Sequence, residues 1–231
     1  MGASDSWVRM AIYIGGCLVS CCVVIIVLAI VIPIGVVNSI PPEYCSSTNH
    51  LKYFPLGSII TMQKDLGLAR FNIYNGTDTT VSNRSGRMKY RSWAIPYRID
   101  LMTADEKGSC EGRGTSFSLG QKVDLTVCQN DTEIPFQTFG KIDQEWTFIL
   151  RKYKIYGLNN VQIAYAEENF KIGSVDIDIK SPDGSLVYAK LVTKPFTSIL
   201  ETWEVNVKAE LPDFDWRTII YLVSVISYNR S

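Results

Sequence analysis

The chain has 231 residues and balances 23 Lys and Arg against 23 Asp and Glu. A net charge near zero, with no basic stripe to meet phosphates, excludes nucleic acid as an expected partner. Of the six cysteines, only Cys45, Cys110 and Cys128 lie outside one long apolar segment. That is too few, and an odd number, for a disulfide-built scaffold.

The apolar segment comes first. From Ala11 to Ile32 there is no charged side chain. As a helix it would rise about 33 Å, the thickness of a hydrocarbon core. A helix apolar on every face offers nothing to water, so a single membrane crossing is expected. The competing reading, a cleaved signal peptide, calls for a shorter apolar core of about 7–15 residues. The expected organisation is a cytosolic tail over 1–9, a transmembrane helix over 10–37, a stalk over 38–58 and a β-domain over 59–231.

Topology follows from flanking charge and from sequons. Arg9 and the terminal amine precede the span and Glu43 follows it, a slight bias for a cytosolic N-terminus. Asn75-Gly76-Thr77, Asn83-Arg84-Ser85 and Asn130-Asp131-Thr132 fit the N-glycosylation acceptor pattern and fall in polar, loop-like stretches. A fourth, Asn229-Arg230-Ser231, is discounted because it ends the chain. The β-domain is therefore expected on the lumenal or extracellular side, at the plasma membrane or in the secretory pathway. Gly2 begins a Met-Gly-x-x-x-Ser lipidation pattern, which needs only a cytosolic N-terminus and suits the same topology.

Pro33, Pro41, Pro42 and the Ser46–Asn49 cluster mark the stalk. His50, the only histidine, sits there without partners. Short β-runs follow: 70–74, 93–101 with Pro96 as an edge or bulge signal, 117–119, 123–127, 146–150, 153–156 and 161–165. Val175–Ile179 alternates strictly, Ser181-Pro182-Asp183-Gly184 turns the chain, and 186–191 and 202–207 alternate again. Such regular spacing predicts a barrel or a sandwich. The run 218–228 is nearly continuous in apolar residues and reads as a buried helix or a central strand, with Asp213 or Asp215 as N-cap.

Catalytic chemistry finds little to stand on. A nucleophilic triad needs a positioned histidine, zinc needs Cys/His spacing, and a phosphate loop needs more than Gly112-Arg113-Gly114. No cofactor and no metal are expected. The acidic residues Asp176, Asp178 and Asp183 read as a solvated face. In an oxidising compartment Cys110 and Cys128 are the natural disulfide pair, closing a loop worth about 3 kcal/mol. Cys45 would remain, as a thiol or as a link between two copies.

The second half resembles the tubby C-terminal superfamily, in its LURP-one-related and scramblase-like branch. The matching stretches are Tyr153-Lys154-Ile155-Tyr156, Asp176 to Val187 with its Asp-Gly turn, Glu201 to Val207, and Asp215-Trp216-Arg217 leading into 219–228. The resemblance implies a mainly β fold: a closed antiparallel barrel of about twelve strands with a hydrophobic C-terminal helix threaded through it. It implies no basic phosphoinositide patch, since matching residues are missing, and Thr103–Gly120 reads as an atypical insertion. The alternative fold is an immunoglobulin-like β-sandwich behind the same anchor. The expected function is that of a non-catalytic, single-pass type II glycoprotein. Its domain binds a protein partner or a second copy, as an accessory subunit of a membrane assembly. The alternative is a membrane-tethered protein that handles lipid.

Overall fold

The computed structural model describes residues 20–21, 54–65, 70–91, 97–104, 108–115, 121–128, 136–145, 151–171, 174–193, 200–210 and 215–228. The chain divides into two compact units, Met1–Pro41 and Pro42–Ser231. In the first, Ser20 and Cys21 are helical and exposed, and the rest of the expected span lies outside the described residues. Among the described residues no helix is long and apolar enough to cross a membrane.

The second unit is a closed barrel. Its strands are β1 (Ile59–Lys64), β2 (Arg70–Asn75), β3 (Arg84–Arg91), β4 (Arg98–Thr103), β5 (Gly108–Gly114) and β6 (Lys122–Cys128). The second half contributes β7 (Phe136–Glu145), β8 (Lys152–Tyr156), β9 (Gln162–Lys171), β10 (Ser174–Lys180), β11 (Val187–Thr193) and β12 (Thr202–Val207). Each strand pairs with its neighbours in sequence, and β1 closes the ring against β12. Every pairing is antiparallel. Closure removes every sheet edge and rules out the sandwich alternative.

Period-two alternation sets which side chains enter the barrel. In β10, Ile177 and Ile179 are wholly buried, and register places them opposite Leu191 and Ala189 of β11. Asp178 points the other way, opposite Lys190. A twelve-stranded ring is too wide for its own side chains to fill. The helix α1 (Arg217–Tyr228) fills it, with every residue from Arg217 to Ser227 buried. Its apolar side chains, such as Ile219, Leu222 and Val225, share one core with inward residues of the strands. The wall makes room with small residues: Gly112, Gly140, Ala164, Ala166 and Ala189. A Cβ built on Gly112 would stand 3.0 Å from the Tyr221 ring, and one on Gly140 would stand 3.4 Å from Thr218 Oγ1.

Because all pairings are antiparallel, connections after even-numbered strands lie at one rim. We term this the proximal rim, since β1 starts there. The connections after odd-numbered strands form the distal rim. Helix α1 starts proximally, where Trp216 meets Phe54 at 6.1 Å between ring centroids. It ends distally, where Tyr228 stacks on Tyr90 at 4.1 Å. Asp215 is the N-cap: its Oδ1 accepts from the Arg217 N–H at 3.1 Å, and its carboxylate also takes the Arg217 guanidinium at 2.8 and 2.5 Å. Phe54 is buried and Gly57 donates to the Val207 carbonyl at 3.1 Å. The end of the expected stalk thus packs as part of the barrel.

Candidate functional site

The interior offers a packed apolar core. Trp203, Trp216, Tyr153 and Tyr221 are among its largest fully buried side chains. Desolvation by burial, reinforced by Cys110 and Asp100 and only partly opposed by the Arg217 charge, pushes the Tyr221 phenol well above its ordinary range. At the distal rim Tyr90, Tyr97 and Tyr228 stack with centroid separations of 4.1, 5.3 and 6.3 Å. Burial, reinforced by the neighbouring phenols, raises the Tyr90 hydroxyl pKa. These rings close the exit of the helix by stacking.

A second feature went unread in the sequence. Arg91, Arg98 and Arg113 fall in one row across β3, β4 and β5, because Arg91 pairs with Arg98 and Arg98 with Arg113. One step along, Asp100 pairs with Glu111. All five alternate with core residues such as Ile99 and Leu101 and so project from the outer wall. Yet Arg91, Arg98, Asp100 and Glu111 are each less than a tenth exposed. Arg91 Nε donates to Asp100 Oδ2 at 2.5 Å, and Glu111 is shared between Arg98 and Arg113. Desolvation raises the Asp100 pKa, opposed by the charges of Arg91 and Arg98. Among the described residues, Arg98 Nε alone in this group lacks a hydrogen-bond partner, and a buried, mutually paired network of this kind fixes register and packing more than it offers reactive groups. The signal for it was the two-residue spacing in Arg98-Ile99-Asp100 and Glu111-Gly112-Arg113, visible only once the strands are paired.

The opposite wall is charged and solvated. Register aligns Glu145, Lys152, Glu167, Asp178 and Lys190 in one row across β7 to β11. Lys152 binds Glu167 at 2.9 Å, Lys154 binds Glu145 at 2.5 Å and Lys190 binds Asp176 at 3.1 Å. Glu145, Lys152, Lys154, Gln162 and Tyr165 rim a shallow pocket of about 190 Å³ whose floor is Tyr153. Its lysines are already engaged by carboxylates, which raise the pKa of both. A transmembrane barrel carries apolar side chains outside and polar ones inside. This barrel is the reverse, so its wall does not face lipid. Among the described residues no group of three His, Cys, Asp or Glu side chains is placed to hold a metal.

The sequence-predicted sites fall as follows. Asn75 ends β2 and is exposed at the proximal rim. Asn83 lies in the same connection, in the one-turn 3-10 segment Val81–Asn83. Its Nδ2 donates to the carbonyls of Asn75 and Asp78, both at 2.9 Å. Asn130 lies outside the described residues, in the connection from β6 to β7, as do Cys45, Gly2 and His50. The strand expected over 146–150 also lies outside them. The expected Cys110–Cys128 bridge finds no support. No disulfide is present among the described residues. Cys110 is buried in the core, and its cross-strand partner is Val127 rather than Cys128.

Fold and wall together define a closed, helix-filled antiparallel β-barrel with a polar exterior. No family model matches the chain, and no curated protein matches it. Among solved structures the barrel is similar to the X-ray structure of the Arabidopsis thaliana protein AT5G01750, at 12% sequence identity and a TM-score of 0.48. That match covers 83% of this chain and 98% of the other.

Proposed function

We propose that this protein is a single-pass type II membrane glycoprotein that displays a tubby-like barrel on the lumenal or extracellular side. The observation that carries the reading is a contrast within one chain. Ala11–Ile32 holds no charge, whereas the barrel wall carries ion pair after ion pair. A wall built for water cannot hold the protein in a bilayer, and the apolar run can. The barrel acts by surface contact, binding a protein partner or a second copy as an accessory subunit of a membrane assembly. Its packed interior and internally paired charges support binding over catalysis.

Protease applied to sealed vesicles of known polarity tests the topology, together with an N-glycosidase mobility shift on the intact chain. Protection of the barrel inside secretory vesicles and a shift on deglycosylation are expected. A barrel digested from the cytosolic side would overturn the proposal. A second reading, a tethered barrel that engages lipid, draws support from exposed aliphatic side chains at one rim.

A further inference from the structure

The last residue of α1 meets the barrel wall ring to ring. Tyr228 stacks on Tyr90 of β3 with centroids 4.1 Å apart and planes 16° from parallel. Aromatic pairs usually settle at about 4.5–7 Å. The Tyr90–Tyr97 and Tyr97–Tyr228 pairs, at 5.3 and 6.3 Å, fall within that range. Tyr90 and Tyr228 are thus the close pair of the cluster, and both rings are phenols.

The pair is held from both sides. Tyr90 belongs to a strand bonded on both edges, opposite Ile99 of β4, and is only 8% exposed. Tyr228 reaches it because the last turn of α1 is pinned. Ser227 Oγ donates to Glu201 Oε2 at 2.7 Å, and Glu201 Oε1 accepts from the Trp203 indole N–H at 2.7 Å. Tyr97 is placed differently. Its ring lies over Gly114, where a Cβ would stand 2.2 Å away, and its hydroxyl donates to Gln121 Oε1 at 3.4 Å.

The Tyr90 hydroxyl is buried, with no partner in hydrogen-bond geometry among the described residues. Burial first, and then the Tyr97 and Tyr228 phenols, raise its pKa. The phenolic oxygens of the close pair gather at one end of the stack, which sets the ring carbons ortho to them face to face. Exposure differs across the stack: Tyr228 is 40% exposed, so an oxidant in solvent meets it first.

We infer that Tyr90 and Tyr228 form an oxidative cross-linking site, joined ortho carbon to ortho carbon as dityrosine by hydrogen peroxide with a haem peroxidase. The oxidant takes one electron from Tyr228, whose phenolic proton leaves to water. The Tyr228 radical recovers an electron and a proton from Tyr90, and a second oxidation regenerates it. The two phenoxyl radicals then combine. One C–C bond forms, two ring C–H bonds break, and the ring protons return through water to the phenolic oxygens. In sum, the two phenols lose two electrons and two protons, and one hydrogen peroxide takes up both to give two waters. Rings already in contact replace a chance encounter of radicals by a step within one molecule. The product ties the end of α1 to β3 and closes a loop of more than half the chain. Such a link removes unfolded-chain entropy as a disulfide does. Neither the anchor nor the membrane side enters this chemistry.

The test exposes the full chain, at high dilution in mild detergent, to hydrogen peroxide and a haem peroxidase. The blue emission of dityrosine should appear in the monomeric chain, and the intact mass should fall by two hydrogen atoms. Digestion should yield a joined peptide holding Tyr90 and Tyr228, and Tm should rise by about 10 °C. Tyr228→Phe and Tyr90→Phe should each abolish the emission, and Tyr97→Phe should keep it. Phenylalanine preserves the stack, and tryptophan emission before oxidation checks that each variant folds. Emission that survives in Tyr228→Phe, or a joined peptide holding any other pair, overturns the inference. Cross-linking confined to dimers and fading on dilution also overturns it, since contact then arises between copies. So does the lack of a joined peptide, whether or not Tyr228 takes up oxygen.

Discussion

Of the described wall glycines, Gly112 is the one where an added side chain would meet the threaded helix most closely, so it gives a sharp test of the fold. A methyl group placed there would stand 3.0 and 3.1 Å from two carbons of the Tyr221 ring and 3.1 Å from Val123 Cγ1. Real Cβ atoms rarely pack so closely, and both neighbours are fully buried. Valine at this position adds more carbon to a full core, an overpacking cost of about 1–3 kcal/mol. Strand propensity returns up to about 1 kcal/mol when glycine is replaced by a β-branched residue. Overpacking wins, and Gly112→Val should lose about 1–2 kcal/mol net, or about 2–8 °C in Tm for a chain of this size. The assay is guanidinium unfolding of the full chain in mild detergent, followed through the buried indoles of Trp203 and Trp216. Shortening the clashing ring with Tyr221→Leu should make the pair less damaging together than the two singles summed, by about 0.5–3 kcal/mol of coupling. A Gly112→Val chain as stable as its parent, or strict additivity with Tyr221→Leu, would refute the seating of α1 against β5.

Glu111→Ala should cost about 3–5 kcal/mol, because it leaves the buried Arg98 guanidinium with only its longer 3.6 Å contact to Asp100; Glu111→Gln, which keeps an acceptor, should cost less, and denaturant midpoints compare them. The Asp183 carboxyl, held down to about 2 by hydrogen bonds from the Ser181 and Ser185 hydroxyls and the Ser185 N–H, has a folded pKa below its unfolded one. Its stabilisation is thus present above about pH 4 and is lost as pH falls from there toward 2. An NMR titration should show that value, and Ser181→Ala with Ser185→Ala should move it back toward the ordinary aspartate range. Asn75 should carry sugar in preference to Asn83, since a glycan on Asn83 Nδ2 leaves one N–H where the loop uses two. Asn75→Gln should therefore abolish a mobility step that Asn83→Gln leaves intact.

The strands that the sequence made legible are those with large inward residues. In β10, Ile177 and Ile179 alternate with Asp176 and Asp178, and the Ser181–Gly184 turn follows as expected. Where the helix fills the barrel, the wall must shrink, and the signal disappears. The inward residues of β5 are Cys110, Gly112 and Gly114, so Thr103–Gly120 read as an insertion although it contains a strand of the ring. In β7, Gly140 likewise interrupts the apolar pattern. In β3, Gly86, Met88 and Tyr90 alternate with three basic residues, which masked a strand as a loop. The helix itself was ambiguous for the complementary reason: enclosed on all sides, it carries β-branched apolar residues without a polar face. The Arg91–Arg113 network was illegible because its members are distant in sequence and meet only through register.

The placement of small and charged residues also decides where this barrel can work. Its wall is widest in ion pairs across β7 to β11, and its centre is occupied by α1, so neither the lumen nor the wall is available as a lipid path. What remains for contact is rim. At the distal rim the stacked Tyr90, Tyr97 and Tyr228 rings spend their faces on one another. At the proximal rim, Leu158, Val161 and Leu186 are exposed on hydrogen-bonded turns. Under the proposed function, the charged wall from β7 to β11 is the surface offered to a polar protein partner. Reversing Lys152 and Lys154 to glutamate should therefore weaken partner capture in co-purification from mild detergent while leaving the denaturant midpoint nearly unchanged. Partner capture that survives the double reversal intact would refute this wall as the contact surface.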